Sequence, residues 1–130
     1  MKYALAIYGA PTSSQSAHTA FRFAETLLDE GHELYRVFFY HDAVYAGSSL
    51  VSPPQDEQNL PNLWGDLAEK HGIDLVVCIA AAVRRGVIDA RESGRYDKAS
   101  HNLSEGFELS GLGQLVDAAV EVDRLITFGA

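Results

Sequence analysis

Val37-Phe38-Phe39-Tyr40 and Leu75-Val76-Val77-Cys78-Ile79 are stretches of this chain that are apolar without interruption. A strand with one wet face alternates apolar and polar side chains, because successive residues point to opposite sides of the sheet. Runs as continuous as these need cover on both faces, and a parallel sheet layered with helices supplies it. The demand selects a layered α/β fold.

The segments around those runs complete the pattern. Tyr3–Tyr8 is a first apolar run, halted by Gly9-Ala10-Pro11, a turn signal. Ala17, Ala20, Phe21, Ala24, Leu27 and Leu28 then recur at helical spacing. Ser16 is the expected N-cap of that helix and Gly31 its stop. Leu34–Tyr40 follows as the second strand, and His41–Asn59, polar with Pro53-Pro54 in its middle, is expected to be mostly loop. Leu60, Leu63, Trp64, Leu67 and Ala68 mark a second helix with Pro61 in its first turn and Gly72 at its close. Asp74–Ile79 is the third strand and runs into Ala80-Ala81-Ala82. From Arg84 to Gly106 no period survives, so a long connection is expected there, of the kind that is usually functional. Leu112, Leu115, Val116, Ala119 and Val120 set the face of a last helix, and Arg124–Phe128 ends the chain as a strand. The order predicts one three-layer α/β/α domain over residues 1–130 with a mainly parallel sheet of four to five strands. The fifth strand is expected to be short or at an edge, within the long loops.

A chain of 130 residues closes a hydrophobic core without disulfide staples. The formal charge of −8 lacks the basic footprint of nucleic-acid binding and serves solubility. The N-terminal apolar run is too short for a secretory leader, and no run approaches the roughly 18 apolar residues of a membrane helix. A cytoplasmic protein is the expectation. One cysteine, Cys78, excludes an internal disulfide, a Cys-x-x-Cys redox pair and a cysteine zinc cluster. Any sulfur chemistry in such a chain would use one thiol and a partner molecule.

In open parallel sheets, sites form beyond the carboxyl ends of the strands. Gly9–Ser16, His41–Asp42 and Cys78 are all expected there. Between Val77 and Ile79, Cys78 reads equally as a buried small hydrophobe. In its favour as a nucleophile, a helical turn over Ala80–Val83 would aim free N–H groups at the sulfur, with Arg84 and Arg85 adding positive charge. The two arginines read as well as solvated charges or as partners of Asp89 or Glu92. Gly9–Ser16 matches neither G-x-x-x-x-G-K-[ST] nor G-x-G-x-x-G, so an ordinary strand-to-helix loop is preferred over a phosphate cradle. His18, His32, His41, His71 and His101 show no metal-ligand spacing, and no serine sits in a G-x-S-x-G elbow.

Val37-Phe38-Phe39-Tyr40, the block Val77-Cys78-Ile79-Ala80-Ala81-Ala82-Val83-Arg84-Arg85-Gly86-Val87, and Leu109-Ser110-Gly111-Leu112-Gly113-Gln114-Leu115 together resemble the DsrE/TusD family. The closing Asp123–Phe128 fits as well, so the likeness spans essentially the whole chain. It implies a sulfurtransferase subunit of the TusBCD or DsrEFH kind, with a DsrEFH-like fold and no metal or organic cofactor. Cys78 would take sulfane sulfur as a persulfide from a TusA-like carrier and pass it to a TusE/DsrC-like acceptor. The destination would be 2-thiolation of the tRNA wobble uridine or dissimilatory sulfur oxidation, the motif blocks being common to both. Two paralogous small subunits, TusB/TusC-like or DsrF/DsrH-like, would complete a heterohexamer, with no direct contact to nucleic acid or membrane. Two other readings stay open: a non-catalytic scaffolding subunit of such a complex, and a flavodoxin-like nucleotide binder working through Gly9–Ser16.

Overall fold

A computed structural model describes residues 1–130. Five strands, β1 (Lys2–Ile7), β2 (Glu33–Phe39), β3 (Asp74–Cys78), β4 (Phe107–Ser110) and β5 (Arg124–Phe128), form one sheet in the order β4-β3-β2-β1-β5. Every pairing is parallel. The expected α/β class and strand number hold, and the fifth strand is β4, four residues long and at an edge.

Alternation sorts the central side chains. Val37 and Phe39 of β2 face α1 (Gln15–Asp29) and α2 (Leu60–His71), where Trp64 meets Phe39 and Phe21 edge-on at 5.7 and 4.9 Å. Arg36 and Phe38 face the other side, where the last helix, Gly113–Glu121, packs on β1, β2 and β5. This reversal follows from topology. Right-handed crossovers from β1 through β3 keep their helices on one face, and the return past β1 to β5 puts its helix on the other. With both faces covered, Val37, Phe38, Phe39, Leu75, Val76 and Val77 are all buried.

Several local expectations change. The first helix begins at Gln15 with Ser14, not Ser16, at the N-cap. The hydroxyls of both serines are drawn elsewhere: Ser14 and Ser16 bond each other at 2.8 Å, and Ser16 donates to the Gly129 carbonyl. The second helix ends as expected at Gly72, whose φ of 67° is the left-handed cap that glycine adopts at low cost. His41–Gly47 is a 3-10 helix rather than loop, because Ala43, Val44 and Ala46 are buried against the sheet end and the turn after β3. The connection after Arg84 holds a six-residue helix, Ala90–Arg95, capped by Asp89, whose side chain accepts from the Glu92 N–H at 2.8 Å.

The last helix departs most. Leu112, Val116 and Val120 are 48, 63 and 75% exposed, while Ala118 is buried. Arg36, only 8% exposed, sets this rotation. Its Nε donates to Asp74 at 2.6 Å, and its Nη1 donates to the Gln114 carbonyl at 2.8 Å and to Asp117 at 2.9 Å. Tyr35 donates to the same Asp117 oxygen at 2.8 Å. Left unpaired, a buried guanidinium is expensive, so the helix brings Gln114 and Asp117 to the sheet beside Leu115 and Ala118 and turns Val116 and Val120 outward. Burial opposes the charge on Arg36, yet the bonds to Asp74 and Asp117 hold its pKa above the ordinary value.

The hydroxyl of Tyr35 first, then Arg36, lowers the Asp117 pKa below the usual carboxylate range. A carboxylate with a depressed folded pKa stabilises fully above its unfolded value, about 3.9, and that stabilisation is lost as pH falls through the folded value. Asp117→Asn is therefore expected to lower the urea midpoint at pH 7 and to flatten the loss of stability on acidification. Urea titrations at a series of pH values check this; parallel acid limbs for variant and wild type would show that the pairing contributes nothing.

Candidate active site

β3 ends on Cys78, and a five-residue helix, Ile79–Val83, begins at the next residue. The expected turn after the cysteine is present and starts one residue earlier than Ala80. Cys78 occupies its N-cap position with extended backbone, but the side chain makes no cap hydrogen bond. The thiol is free and 2% exposed.

Arg84 and Arg85 do not bond the sulfur. Arg84 Nε donates to the Ala80 carbonyl at 3.2 Å and Arg85 Nη1 to the Ala81 carbonyl at 3.0 Å. Both guanidiniums thus return to carbonyls of their own short helix, the arrangement that suits cations near a helix C-terminus. Arg85 Nε also pairs with Asp42 at 2.9 Å, tying the 3-10 helix after β2 to the helix after β3. Neither Asp89 nor Glu92 is their partner; Asp89 caps its helix, and Glu92 lies 3.6 Å from Arg95.

The sheet register places further groups beside Cys78. Cys78 pairs with Ser110 of β4. Phe39 pairs with both Ile7 and Val77, so one residue further on Tyr8, Tyr40 and Cys78 continue the row. Residues in register on adjacent strands point to the same face, about 4.8 Å apart. Cys78 and Ser110 thus end β3 and β4 side by side, and Tyr8 and Tyr40 are the first residues past the ends of β1 and β2, all at the carboxyl edge. The ring centroids of Tyr8 and Tyr40 lie 5.6 Å apart, and His41, with a left-handed φ of 49°, stacks on Tyr40 at 4.2 Å. Ser110 was hidden from sequence reasoning because β4 is only four residues long. The available signal was Phe107-Glu108-Leu109-Ser110, a short alternation directly after the Gly106 turn.

The remaining candidates stand apart. Gly9–Ser16 folds back on its own side chains: a Cβ on Gly9 would lie 2.2 Å from Ser14 Oγ and 2.6 Å from Ser14 Cβ, so serine atoms fill the space a phosphate cradle leaves open. His18 lines a cleft of about 610 Å³ with Pro11, Pro53 and Glu57, and His101 lines one of about 480 Å³ with Val83, Tyr96 and Lys98. Cys78 lines neither. No three His, Cys, Asp or Glu side chains cluster as metal ligands, and no helix is long and apolar enough to cross a membrane.

The DsrE/DsrF-like family model matches residues 1–128. The chain belongs to that family. It is 48% identical over 129 residues to the Allochromatium vinosum protein named DsrE, covering 99% of each chain. It is 50% identical over 129 residues to the sulfurtransferase TusD homolog of Pseudomonas aeruginosa, covering 99% of this chain and 98% of that one. Among solved structures, the ychN protein of E. coli superposes with a TM-score of 0.75 over 98% of this chain and 99% of its own, at 22% identity, and so shares the fold.

Burial makes a prediction about access. A reagent reaches Cys78 only when the end of the sheet opens, and such openings carry a free-energy cost. Modification of the thiol by Ellman's reagent is expected to be at least about tenfold slower in the native chain than in urea, a factor of ten being about 1.4 kcal/mol of opening. Equal rates would place the sulfur at the open surface.

Proposed function

We propose that this chain is a cytoplasmic sulfurtransferase subunit that carries sulfane sulfur as a persulfide on Cys78. The observation that carries the reading is the position of Cys78, the sole cysteine, at the carboxyl end of β3 in a chain about half identical to relatives named for sulfur transfer. Residues 1–130 act as a single sulfur-relay domain.

The chemistry is a pair of displacements. The Cys78 thiolate attacks the outer sulfur of a persulfide on a TusA-like donor; the Cys78 sulfur–sulfur bond forms, the donor's breaks, and the donor leaves as a thiolate. An acceptor thiolate on a TusE/DsrC-like protein then attacks the outer sulfur and releases the Cys78 thiolate. One sulfur–sulfur bond is exchanged for another at each step, so no external oxidant or reductant enters. Arg84 and Arg85, held at the far end of the short helix, supply positive charge at the rim rather than a contact to the sulfur. The route onward, to the tRNA wobble uridine or to sulfur oxidation, uses the same two displacements; identities of 48% to the protein named DsrE and 50% to the TusD homolog weigh the two alike.

The outward face of the last helix supports assembly. Leu112, Val116 and Val120 form an exposed apolar surface of the sort that marks protein contacts, as expected of a chain that joins two paralogous subunits, TusB/TusC-like or DsrF/DsrH-like, in a heterohexamer.

The test is sulfur flow in the assembled complex. Radioactive sulfur loaded on the donor is expected to reach the acceptor through wild type and to stop with Cys78→Ala, while subunit assembly stays intact on a sizing column. Full flow through Cys78→Ala would instead make the chain a scaffold with an inert cysteine.

A further inference from the structure

Cys78 shares the carboxyl edge with two residues of the same chemistry. Ser110 of β4 is its register partner, and Tyr40 is the residue that follows β2, one past Phe39, the partner of Val77. Both are half-buried, and neither hydroxyl is held by another group of the chain, although the nearby serines 14, 16, 48 and 93 all have partners. No buried side-chain oxygen or nitrogen lacks a partner, so these two hydroxyls face accessible space. Three aromatic rings bound Tyr40: Phe38 below it at 6.4 Å, Tyr8 on the β1 side at 5.6 Å, and His41 stacked at 4.2 Å. Continuing the register from Phe39 and Val77 by one residue sets Tyr40 towards Cys78.

Length matters here. A cysteine sulfur stands close to the sheet, whereas a tyrosine hydroxyl stands far above it. A second sulfur extends the cysteine by about 2 Å and brings its outer atom up towards the hydroxyl. We propose that Tyr40 and Ser110 form a two-hydroxyl clamp that donates hydrogen bonds to the outer sulfur of the Cys78 persulfide. The inference rests on the carrier reading and adds to it the groups that recognise the cargo. Hydrogen bonds to an anion favour its charged form, so the clamp holds the persulfide as the anion and discriminates it from the shorter thiol. The other titratable groups around this end of the sheet are Tyr8, His41, the Asp42–Arg85 pair, Arg84 on the helix after β3, and Glu108 on β4.

Tyr40→Phe and Ser110→Ala remove one hydroxyl each and leave those groups unchanged. The wild-type chain and both variants are loaded with an inorganic polysulfide, and the rate of persulfide alkylation by iodoacetamide is followed against pH. Loss of a bond to a charged sulfur is expected to raise the midpoint by about one pH unit per variant. The midpoint for alkylation of the unloaded thiol is expected to stay where it is. Unchanged persulfide midpoints in both variants would overturn the clamp while leaving the carrier intact. Equal shifts of thiol and persulfide would overturn it too, by showing a general change around Cys78. A wild-type chain that takes up no sulfur overturns the carrier reading itself.

Discussion

The double cover on β2 and β3 is the constraint from which the rest of the structure follows. Their buried residues leave no room for a polar face, so helices must close over both sides of the sheet. Parallel pairing then brings the strands to a common carboxyl edge, and the register Phe39 to Val77 fixes which residues meet there. Cys78 owes its place to that register. A slip of one residue would turn every side chain of β3 to the opposite face, taking the sulfur away from Ser110.

Polar pairing acts as the second constraint, on the opposite face. Arg36 lies in the middle of β2 next to the buried Val37, Phe38 and Phe39, and its hydrogen bonds to Asp117 and the Gln114 carbonyl hold the last helix, while Asp74 shares the charge. Leu112, Val116 and Val120, which periodicity assigns to the core, are thereby turned outward, while Leu115 keeps its place against it. One buried guanidinium thus links the inside of the sheet to the exposed apolar residues of the last helix.

Much of this was legible in the residues. Continuous runs such as Val37–Tyr40 specify cover on both faces, and strongly periodic segments such as Leu60–Ala68 specify their helix and its glycine stop. What escaped was decided by contacts distant in sequence. His41–Gly47 is held as a 3-10 helix by burial of Ala43 and Val44, which no local propensity announces. The helix after Asp89 did leave a trace, an aspartate followed three residues later by Glu92, the capping-box spacing. The rotation of the last helix was not recoverable, because Arg36 and Asp117 are 81 residues apart. At the site, Cys78 was visible as the sole cysteine at a strand end. Its neighbour Ser110 became visible only through the four-residue edge strand, and the two arginines expected near the sulfur serve their own helix instead.

The central claim is that Cys78 itself holds the travelling sulfur. It is tested most directly by peptide mapping of the complex after exposure to a persulfide donor, with iodoacetamide used to trap every sulfur in place. The account predicts that the peptide containing Cys78 carries one additional sulfur atom beneath the trapping group, and that dithiothreitol removes it. A Cys78 peptide bearing only the trapping group, while the acceptor has been loaded, would contradict it.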